Sequence, residues 1–212
     1  MDLTEGESAI WRGLRDKTRN TVRKGQRAGI IADWGSHNLR AFHDIYLSVM
    51  SSRLRAAHSL SFFEKMFQHM PGSVRLLCAR LGERIIGGTV VIATPQVYLS
   101  AFQCASPDAN RQYAPTSFMT WELLKAAAAA GAQKFDLGES QPGSGSYVFK
   151  TNFGGTPSSV YYYRPLTSAQ QSIPSSFRVR FKELLSTTVS ERAPAWSKRY
   201  LAYRLARRGR II

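Results

Sequence analysis

Apolar residues recur at helical spacing in the first third of the chain and then change to the apolar runs of strands. Leu39, Phe42, Tyr46 and Val49 fall three or four positions apart, as on the buried face of a helix. From Val74 onward, apolar runs are separated by Gly-Glu and Thr-Pro turns, which predicts strands joined as hairpins. The predicted helices are Ile10–Ala28, Leu39–Leu54, Ser61–Met70 and Pro115–Ala130, and the predicted strands are Val74–Leu81, Ile85–Ala93, Gln96–Ala105, Lys134–Leu137 and Ser158–Arg164.

The order of these elements predicts a mixed α/β domain in which a sheet is flanked by helices. Three consecutive strands form an antiparallel meander, and a helix then leads to a further strand. The pair Gly87-Gly88 inside a strand indicates a bulge or a close backbone approach. We expect one domain over residues 1–165 and a basic helical extension over residues 166–212.

Local signals define several of the helix ends. Ser61 and Glu64 form a capping-box pattern, and Pro71 with the following glycine stops that helix. Gly131 occupies the position of a C-terminal cap. A flexible Gly/Ser/Pro loop is expected over residues 138–146.

The net charge of +15 comes mostly from the two ends of the chain. Residues 12–27 hold seven Lys and Arg against Asp16, and residues 174–212 hold ten against two acids. A field of this sign attracts polyanions. RNA, nucleotide diphosphates, a coenzyme's phosphates and anionic lipid headgroups all remain open as partners.

Five arginines form one stripe on the first predicted helix, because they are spaced by three or four residues. Gly25 weakens the last turns of this helix. Two interpretations stay open: a solvated face, as most charge runs are, and a surface that contacts phosphate or another anion. The stripe consists of Arg12, Arg15, Arg19, Arg23 and Arg27.

The composition, 43% hydrophobic and 11% aromatic over 212 residues, suffices for a packed core and argues against a disordered chain. No apolar run of about 18 residues and no secretory leader is visible. We therefore expect a cytoplasmic protein, with peripheral contact at the inner membrane face left open. Cys78 and Cys104 lie in apolar, strand-like runs and are expected to be buried thiols.

Several common active-site patterns are missing from the sequence. The four histidines are neither paired at zinc-binding spacing nor clustered with the cysteines, so no metal site is expected. The nucleophile elbow, the phosphate-binding loop and the dinucleotide fingerprint are also missing. Hydrolase, NTPase and dinucleotide-binding hypotheses therefore lose their usual support.

The segment 135–155 is the strongest candidate for a functional site. A short strand ends at Asp136, a glycine-rich loop follows, and Lys150 comes next to Phe149. A lysine ammonium beside an apolar wall can stabilise the oxyanion of an acyl transfer. Asp136 can orient an amine nucleophile or simply cap the loop. A plain surface loop with a solvated lysine is the alternative.

Three further residues complete this hypothesis. Tyr113 lies at the mouth of the predicted helix Pro115–Ala130 and can donate a proton. Gly143 and Gly145 let the backbone approach a substrate closely.

Six short motifs, each weak alone, follow one another along residues 10–164. They are the basic entry from Lys17 to Gly29, the helix FHDIYLSVMSSR, the segment FFEKMF, the strand pair around ARLGERIIGG, Tyr113-Ala114-Pro115 before the helix with Trp121, and Phe135-Asp136-Leu137-Gly138 with the closing Gly145, Phe149, Lys150, Phe153 and Gly154.

In this order the motifs resemble the GNAT-like acyltransferase domain of the Fem-type family, which includes peptidoglycan cross-bridge aminoacyltransferases and relatives associated with exopolysaccharide and cellulose production. The resemblance implies a GNAT-like fold and transfer of an acyl or aminoacyl group to an amine. Acyl-CoA or aminoacyl-tRNA would be the donor substrate, with no permanently bound cofactor.

The resemblance also implies roles for individual residues. Lys150 matches the family lysine that acts at the transferred carbonyl, and Arg19, Arg23 and Lys24 match the basic entry that meets phosphates. The remaining substrate-binding positions would be Gly143, Gly145, Phe149, Phe153 and Gly154.

The chain departs from the family in two ways. Fem-type proteins usually carry two such domains, and this chain has room for one, so a second GNAT-like domain or a homodimer is an expected partner. The chain also lacks an obvious [QR]-x-x-G-x-[GA] loop for a coenzyme A pyrophosphate. An aminoacyl-tRNA donor fits the basic ends better.

The sequence therefore predicts an acyl- or aminoacyltransferase that acts on an amine of a cell-envelope or exopolysaccharide precursor, with Lys150, Asp136 and Tyr113 as catalytic residues. Two other hypotheses remain. One is a non-catalytic GNAT-like module that binds RNA or an anionic membrane surface. The other is a partner subunit for a second GNAT-like chain.

Overall fold

The computed structural model describes residues 1–162 of the chain. The extension expected over 166–212, the domain boundary expected at 165 and the end of the strand predicted at Ser158–Arg164 lie outside the described residues. The helices are α1 (Gly6–Gly13), α2 (Asp16–Arg27), α3 (Leu39–Ser52), α4 (Leu60–His69), α5 (Pro107–Tyr113), α6 (Pro115–Ala129) and α7 (Gly145–Asn152), and the strands are β1 (Ile31–Trp34), β2 (Val74–Leu81), β3 (Arg84–Ala93), β4 (Val97–Ala105) and β5 (Lys134–Asp136).

The five strands form one mixed sheet in the order β1-β2-β3-β4-β5. The first four strands are antiparallel neighbours, and β5 runs parallel to β4 after the α6 crossover. The predicted meander and the helix between two neighbouring strands are confirmed. At the β5 edge, Asp2 forms an antiparallel bridge with Lys134, so the first residues of the chain extend the sheet.

Two adjacent glycines in β3 show that helices cover both faces of the sheet. A Cβ on Gly87 would lie 3.1 Å from Met119 of α6, whereas a Cβ on Gly88 would lie 2.6 Å from the ring of Phe42 on α3. Consecutive strand residues point to opposite faces, so α6 and α3 pack on opposite sides. The expected close approach is present, and the β2–β3 register also shifts at this point.

Helix α6 lies at the centre of a hydrophobic core. Phe118, Met119, Leu123 and Leu124 are buried, and α1 and α2 pack on the same helix. Gly25 of α2 approaches so closely that a Cβ there would lie 2.9 Å from the Cβ of Phe118. This glycine lowers the propensity of α2 and at the same time permits the contact between the two helices.

The single helix predicted over Ile10–Ala28 is wrong, because the segment forms two helices. The first ends at Gly13 and the second starts at Asp16. Between them the backbone is extended, with ψ of 142° at Leu14 and 147° at Arg15. The five-arginine stripe is therefore divided, and only its last three members share one helix.

Other local predictions also need correction. Ser59, not Ser61, caps α4, and its Oγ accepts a hydrogen bond from the Phe62 amide at 3.2 Å. The sequence missed β1, α5 and α7, and α7 begins inside the segment expected to be a loop. Residues 158–162, where a strand was expected to start, are not in a strand.

The chain divides into two compact units. Among the described residues, one unit comprises 1–46 and 59–158, and the other contains 47–58 and 159–162. In the second unit, α3 ends at Ser52 and Leu54 adopts a left-handed backbone with φ of 50°. The candidate site described below belongs entirely to the first unit.

Candidate active site

The candidate site begins where the pairing of β4 with β5 ends, at Leu99 and Asp136. Immediately beyond this pair the chain turns at Gly138, whose φ is 75°. A Cβ on Gly138 would lie 3.0 Å from the carbonyl oxygen of Ser100 on β4. Glycine is required here both for the left-handed backbone and for the close approach to β4.

Asp136 fixes the geometry of this turn. Its Oδ1 accepts a hydrogen bond from the Gly138 amide at 2.7 Å, and the residue is otherwise exposed. The capping role weighed in the sequence is therefore present. One carboxylate oxygen is used by the backbone, and the exposed group can still accept a proton from a nearby amine.

Helix α7 carries the candidate lysine. Ser144 caps the helix, and its Oγ accepts from the Tyr147 amide at 3.2 Å. Phe149 and Phe153 anchor the helix, since their rings lie 4.9 Å apart and Phe153 is buried in the core. These two aromatics therefore position α7.

The Lys150 ammonium lies against the turn that follows β5. Its Nζ donates to the carbonyl oxygens of Gly138 at 2.9 Å and Glu139 at 2.7 Å. Burial lowers the pKa of Lys150, while the nearby charges of Asp136 and Glu139 act in the opposite direction. The result is a partly desolvated cation with directed hydrogen-bond donors at the β4–β5 edge.

Glycines shape the two ends of this segment. Gly143 and Gly154 have left-handed backbones, with φ of 77° and 84°, and Gly145 opens α7. Gly155 donates its amide to the Lys150 carbonyl at 3.0 Å. A Cβ on Gly155 would lie 2.8 Å from Leu137, so the chain leaving α7 is packed against the strand end.

Helix α2 contacts the end of α7 through Asn152. Arg15 Nη1 donates to Asn152 Oδ1 at 2.9 Å, and Thr18 Oγ1 donates to the Asn152 carbonyl at 3.0 Å. Asn152 was not among the residues singled out in the sequence. Nothing in its neighbourhood marks it, because its partners are more than a hundred residues away in the chain.

The basic residues expected to meet phosphates have protein partners. Arg19 bonds the carbonyls at the end of α1 and contacts Asp16. The Arg23 guanidinium lies 5.4 Å from the centre of the Trp11 ring. Lys24 donates to the Arg111 carbonyl at 3.0 Å, which holds α2 against the end of α5.

Tyr113 lies with the basic residues of α2, where this helix meets α5 and α6. It ends α5 and packs against the core, and its carbonyl would lie 3.3 Å from a Cβ on Gly25 of α2. The predicted site residues thus form two sets, one around Lys150 and one where α2 meets α5 and α6. The Asn152 contacts connect α2 to the first set.

No grouping of His, Cys, Asp and Glu suited to holding a metal ion occurs within residues 1–162. Among the helices of this same part of the chain, none has both the length and the apolar character needed to cross a membrane.

The mixed sheet and its helical layers define a domain of the GNAT class. The chain matches the acetyltransferase (GNAT) domain family over residues 12–151, and it belongs to that family. No curated protein matches the chain in sequence.

Solved structures share the fold at low sequence identity. FemX superposes with a TM-score of 0.64 and 13% identity, over 73% of this chain and 57% of FemX. A ribosomal-protein-alanine N-acetyltransferase from Brucella melitensis biovar Abortus 2308 gives a TM-score of 0.51 and 10% identity, over 65% of this chain and 99% of that chain. An aminoglycoside acetyltransferase from an uncultured soil metagenomic sample, solved with sisomicin, gives a TM-score of 0.50 and 10% identity, over 65% and 97% of the two chains.

The family match confirms the prediction of a GNAT-like domain, and the superposition on FemX shows that the fold is similar to that of a Fem-type protein. The reaction of the GNAT class is transfer of an acyl group to an amine. The chain spans 57% of the length of FemX.

Proposed function

We propose that this chain is a Fem-type acyl- or aminoacyltransferase that acts on an amine of a cell-envelope or exopolysaccharide precursor. The observation that carries the proposal is the Lys150 ammonium, which is partly desolvated and directed at main-chain oxygens where β4 and β5 stop pairing. An ammonium that binds carbonyl oxygens in the resting protein has the charge and geometry to bind a substrate's oxyanion.

The proposed reaction is direct transfer. The acceptor amine attacks the donor carbonyl carbon, a C–N bond forms, and the bond to the leaving thiolate or alkoxide breaks. Lys150 exchanges one of its carbonyl partners for the developing oxyanion. Asp136 takes the proton that the amine loses, and the leaving thiolate or alkoxide takes a proton from solvent. Tyr113 lies in the other set of residues, where α2 meets α5 and α6, and is assigned no step.

The donor is proposed to be acyl-CoA or an aminoacyl-tRNA. Both carry phosphates, and α2 presents exposed basic side chains beside the junction of α5 and α6, with Lys24 at the contact. Phosphates also bind favourably near a helix N-terminus, and α6 starts at this junction. Arg19 acts in this arrangement by holding the two basic helices together.

A partner is proposed to complete the acceptor side. The chain spans 57% of FemX, and the proposed partner is a second GNAT-like domain or a second copy of the chain. The proposed location is the cytoplasm, and contact with the inner membrane face is proposed only for an acceptor that is linked to lipid.

The test is a Lys150→Met variant of the full chain. Donors are first screened by thermal shift at low and high salt with acetyl-CoA, long-chain acyl-CoA and charged and uncharged tRNA. With the donor that stabilises the protein, we expect turnover to fall by about 100- to 1,000-fold while donor affinity stays unchanged. Lys65→Met, which removes an exposed lysine from α4, is the matched control.

The outcome separates catalysis from a structural role. If Lys150→Met keeps full turnover and only lowers the unfolding temperature, Lys150 serves as a latch for the Gly138–Glu139 turn, and the proposed mechanism is wrong. If no donor gives salt-resistant stabilisation, the non-catalytic module that binds polyanions becomes the better hypothesis.

A further inference from the structure

A second concave site lies between α1, α2 and α6, on elements that carry neither Lys150 nor Asp136. It is a cleft of about 250 Å³. This volume is below the roughly 300–1,000 Å³ typical of pockets for drug-sized ligands, so it suits a single ring system. Its lining combines two indole rings with three polar side chains: Trp11, Trp121, Glu7, Ser8 and Gln26.

The two tryptophans form a rigid aromatic wall. Their ring centres lie 4.6 Å apart with the planes inclined at 53°. Trp121 is only 4% exposed, so the α6 core fixes its position, whereas Trp11 on α1 is partly exposed. Because Trp121 fixes the position of the Trp11 ring, the exposed part of Trp11 can bind a flat, unsaturated group at little cost in side-chain entropy.

Arg23 adds a planar cation beside this wall. Its guanidinium carbon lies 5.4 Å from the centre of the Trp11 ring, and Nη1 donates to Asn20 Oδ1 at 3.3 Å. A guanidinium held on an indole offers a second flat face, and bases stack on arginine planes as well as on aromatic rings. The wall and the cation together favour a flat ligand over an aliphatic one.

The polar groups around the cleft match the edge of a nucleobase. The Gln26 amide both donates and accepts hydrogen bonds, the Ser8 hydroxyl does the same, and the Glu7 carboxylate accepts. Nucleobases present mixed donors and acceptors along one edge. The same set is less suited to a purely apolar ring, which would leave these groups without new partners.

The surrounding charge favours an anionic ligand. Arg12, Lys17 and Arg27 are exposed on the same two helices, α1 and α2. The two helices together carry more basic than acidic side chains, with Glu7 as the one charged residue of the lining itself, so the net charge disfavours a cationic guest. A phosphate attached to the base would be attracted to the exposed basic side chains.

We propose that the Trp11–Trp121 cleft binds an unpaired nucleobase that carries a phosphate. The source is either single-stranded RNA or a free nucleotide, since both present this chemistry. The proposal does not depend on the transfer reaction, and it holds even if Lys150 proves to be structural.

The experiment is a titration of the full chain followed by intrinsic tryptophan fluorescence. The probes are the four nucleoside monophosphates, a short single-stranded oligoadenylate and ribose 5-phosphate. We expect saturable quenching by at least one nucleotide or by the oligomer, and none by ribose 5-phosphate. Trp11→Ala should weaken binding by roughly 5- to 100-fold, the range expected for loss of one stacked base.

Two further variants keep the test independent of folding. Trp34→Ala removes another partly exposed tryptophan, on β1 outside the cleft, and should leave binding unchanged. Gln26→Leu alters an exposed helix position, so the protein should fold normally and change its order of preference among the four bases. Thermal unfolding of each variant checks that the fold is intact.

Each outcome decides the proposal. Equal affinity for mononucleotide and oligomer supports it with a free nucleotide as the source, and binding of the oligomer alone supports it with single-stranded RNA. Three results overturn it: no nucleotide binding, equal binding of ribose 5-phosphate, and equal weakening by Trp34→Ala. Binding only to phosphatidylserine vesicles would also overturn it and identify the cleft region as a membrane contact.

Discussion

Lys150 is held by two main-chain carbonyls while burial disfavours its charge. The two effects oppose one another, because the hydrogen bonds from Nζ to Gly138 and Glu139 are stronger from a protonated lysine, whereas desolvation favours the neutral form. A cation in this position is poised to exchange a protein oxygen for a substrate oxygen.

The lowered pKa of Lys150 predicts a dependence of stability on pH. In the folded protein the lysine loses its proton at lower pH than in the unfolded chain, so between the two pKa values the unfolded state binds more protons. The unfolding free energy of the wild type should therefore rise with pH in that window, relative to Lys150→Met. Below the folded pKa the difference should be constant.

Urea unfolding of both proteins from about pH 7 to about pH 10.4, the usual lysine range, measures this difference. Lys65→Met removes an exposed lysine from α4 and provides the control for the loss of one positive charge. A difference between wild type and Lys150→Met that stays flat over the whole range would contradict the lowered pKa.

At the residue scale, side chains were easier to predict than their partners. The sequence singled out Lys150 and Asp136 from residue type and loop composition. It did not indicate that Lys150 would bind the carbonyls of Gly138 and Glu139, because any residue supplies a carbonyl and the partner leaves no trace in the sequence. It also left two roles open for Asp136, and the hydrogen bond to Gly138 is the one seen.

At the scale of elements, the break between α1 and α2 depends on one side chain. Helical periodicity continues through residues 14 and 15, so the pattern alone predicts a single helix. In the structure the Arg19 guanidinium donates to the carbonyl oxygens of Trp11 at 3.3 Å, Arg12 at 2.9 Å and Leu14 at 2.6 Å. These bonds replace those that the end of α1 lacks.

Arg19→Met should therefore destabilise the protein by about 1–3 kcal/mol, the range for losing charge-assisted hydrogen bonds at a partly exposed site. Arg19→Lys should not restore full stability, because an ammonium has a single nitrogen, whereas Arg19 binds the three carbonyls through Nη1 and Asp16 through Nη2. Chemical denaturation measures the effect, and Arg27→Met on the exposed face of α2 is the control. Equal loss in both variants would show that Arg19 contributes only charge.

Helix α7 is the other element that the sequence did not predict. Its first residues, Gly145 and Ser146, have low helix propensity, and the preceding glycines suggest a continuous loop. The Ser144 cap and the burial of Phe153 offset this propensity. Tertiary packing therefore decides the helix, and with it the position of Lys150.

At the scale of the whole molecule, the sheet encloses both cysteines between its two helical layers. Cys78 and Cys104 are both buried thiols, as expected from their apolar runs. Burial, with a smaller contribution from the charge of Asp33, raises the pKa of Cys78 to about 12. Both effects suppress the thiolate that reacts with disulfide reagents.

We expect neither thiol to react with Ellman's reagent in the native protein at about pH 8, and both to react after unfolding in guanidinium chloride. In native buffer the slow labelling rate should match the rate of global opening, because no smaller opening exposes the centre of the sheet. Rapid reaction of one thiol before any loss of circular dichroism would show that one helical layer opens separately.

The sequence by itself determined the meander of β2, β3 and β4, the helix that leads to β5 and the candidate residues around Lys150, because hydrophobic periodicity and turn residues act over a few neighbouring positions. Only the tertiary structure decided the break after Gly13, the helix that holds Lys150, and the cleft between Trp11 and Trp121. These features rest on contacts between residues far apart in the chain, such as Arg15 with Asn152. The spacing of apolar residues along the chain carries no information about such pairs. Their hydrogen bonds and packing contacts contribute free energy only when the helices and strands come together.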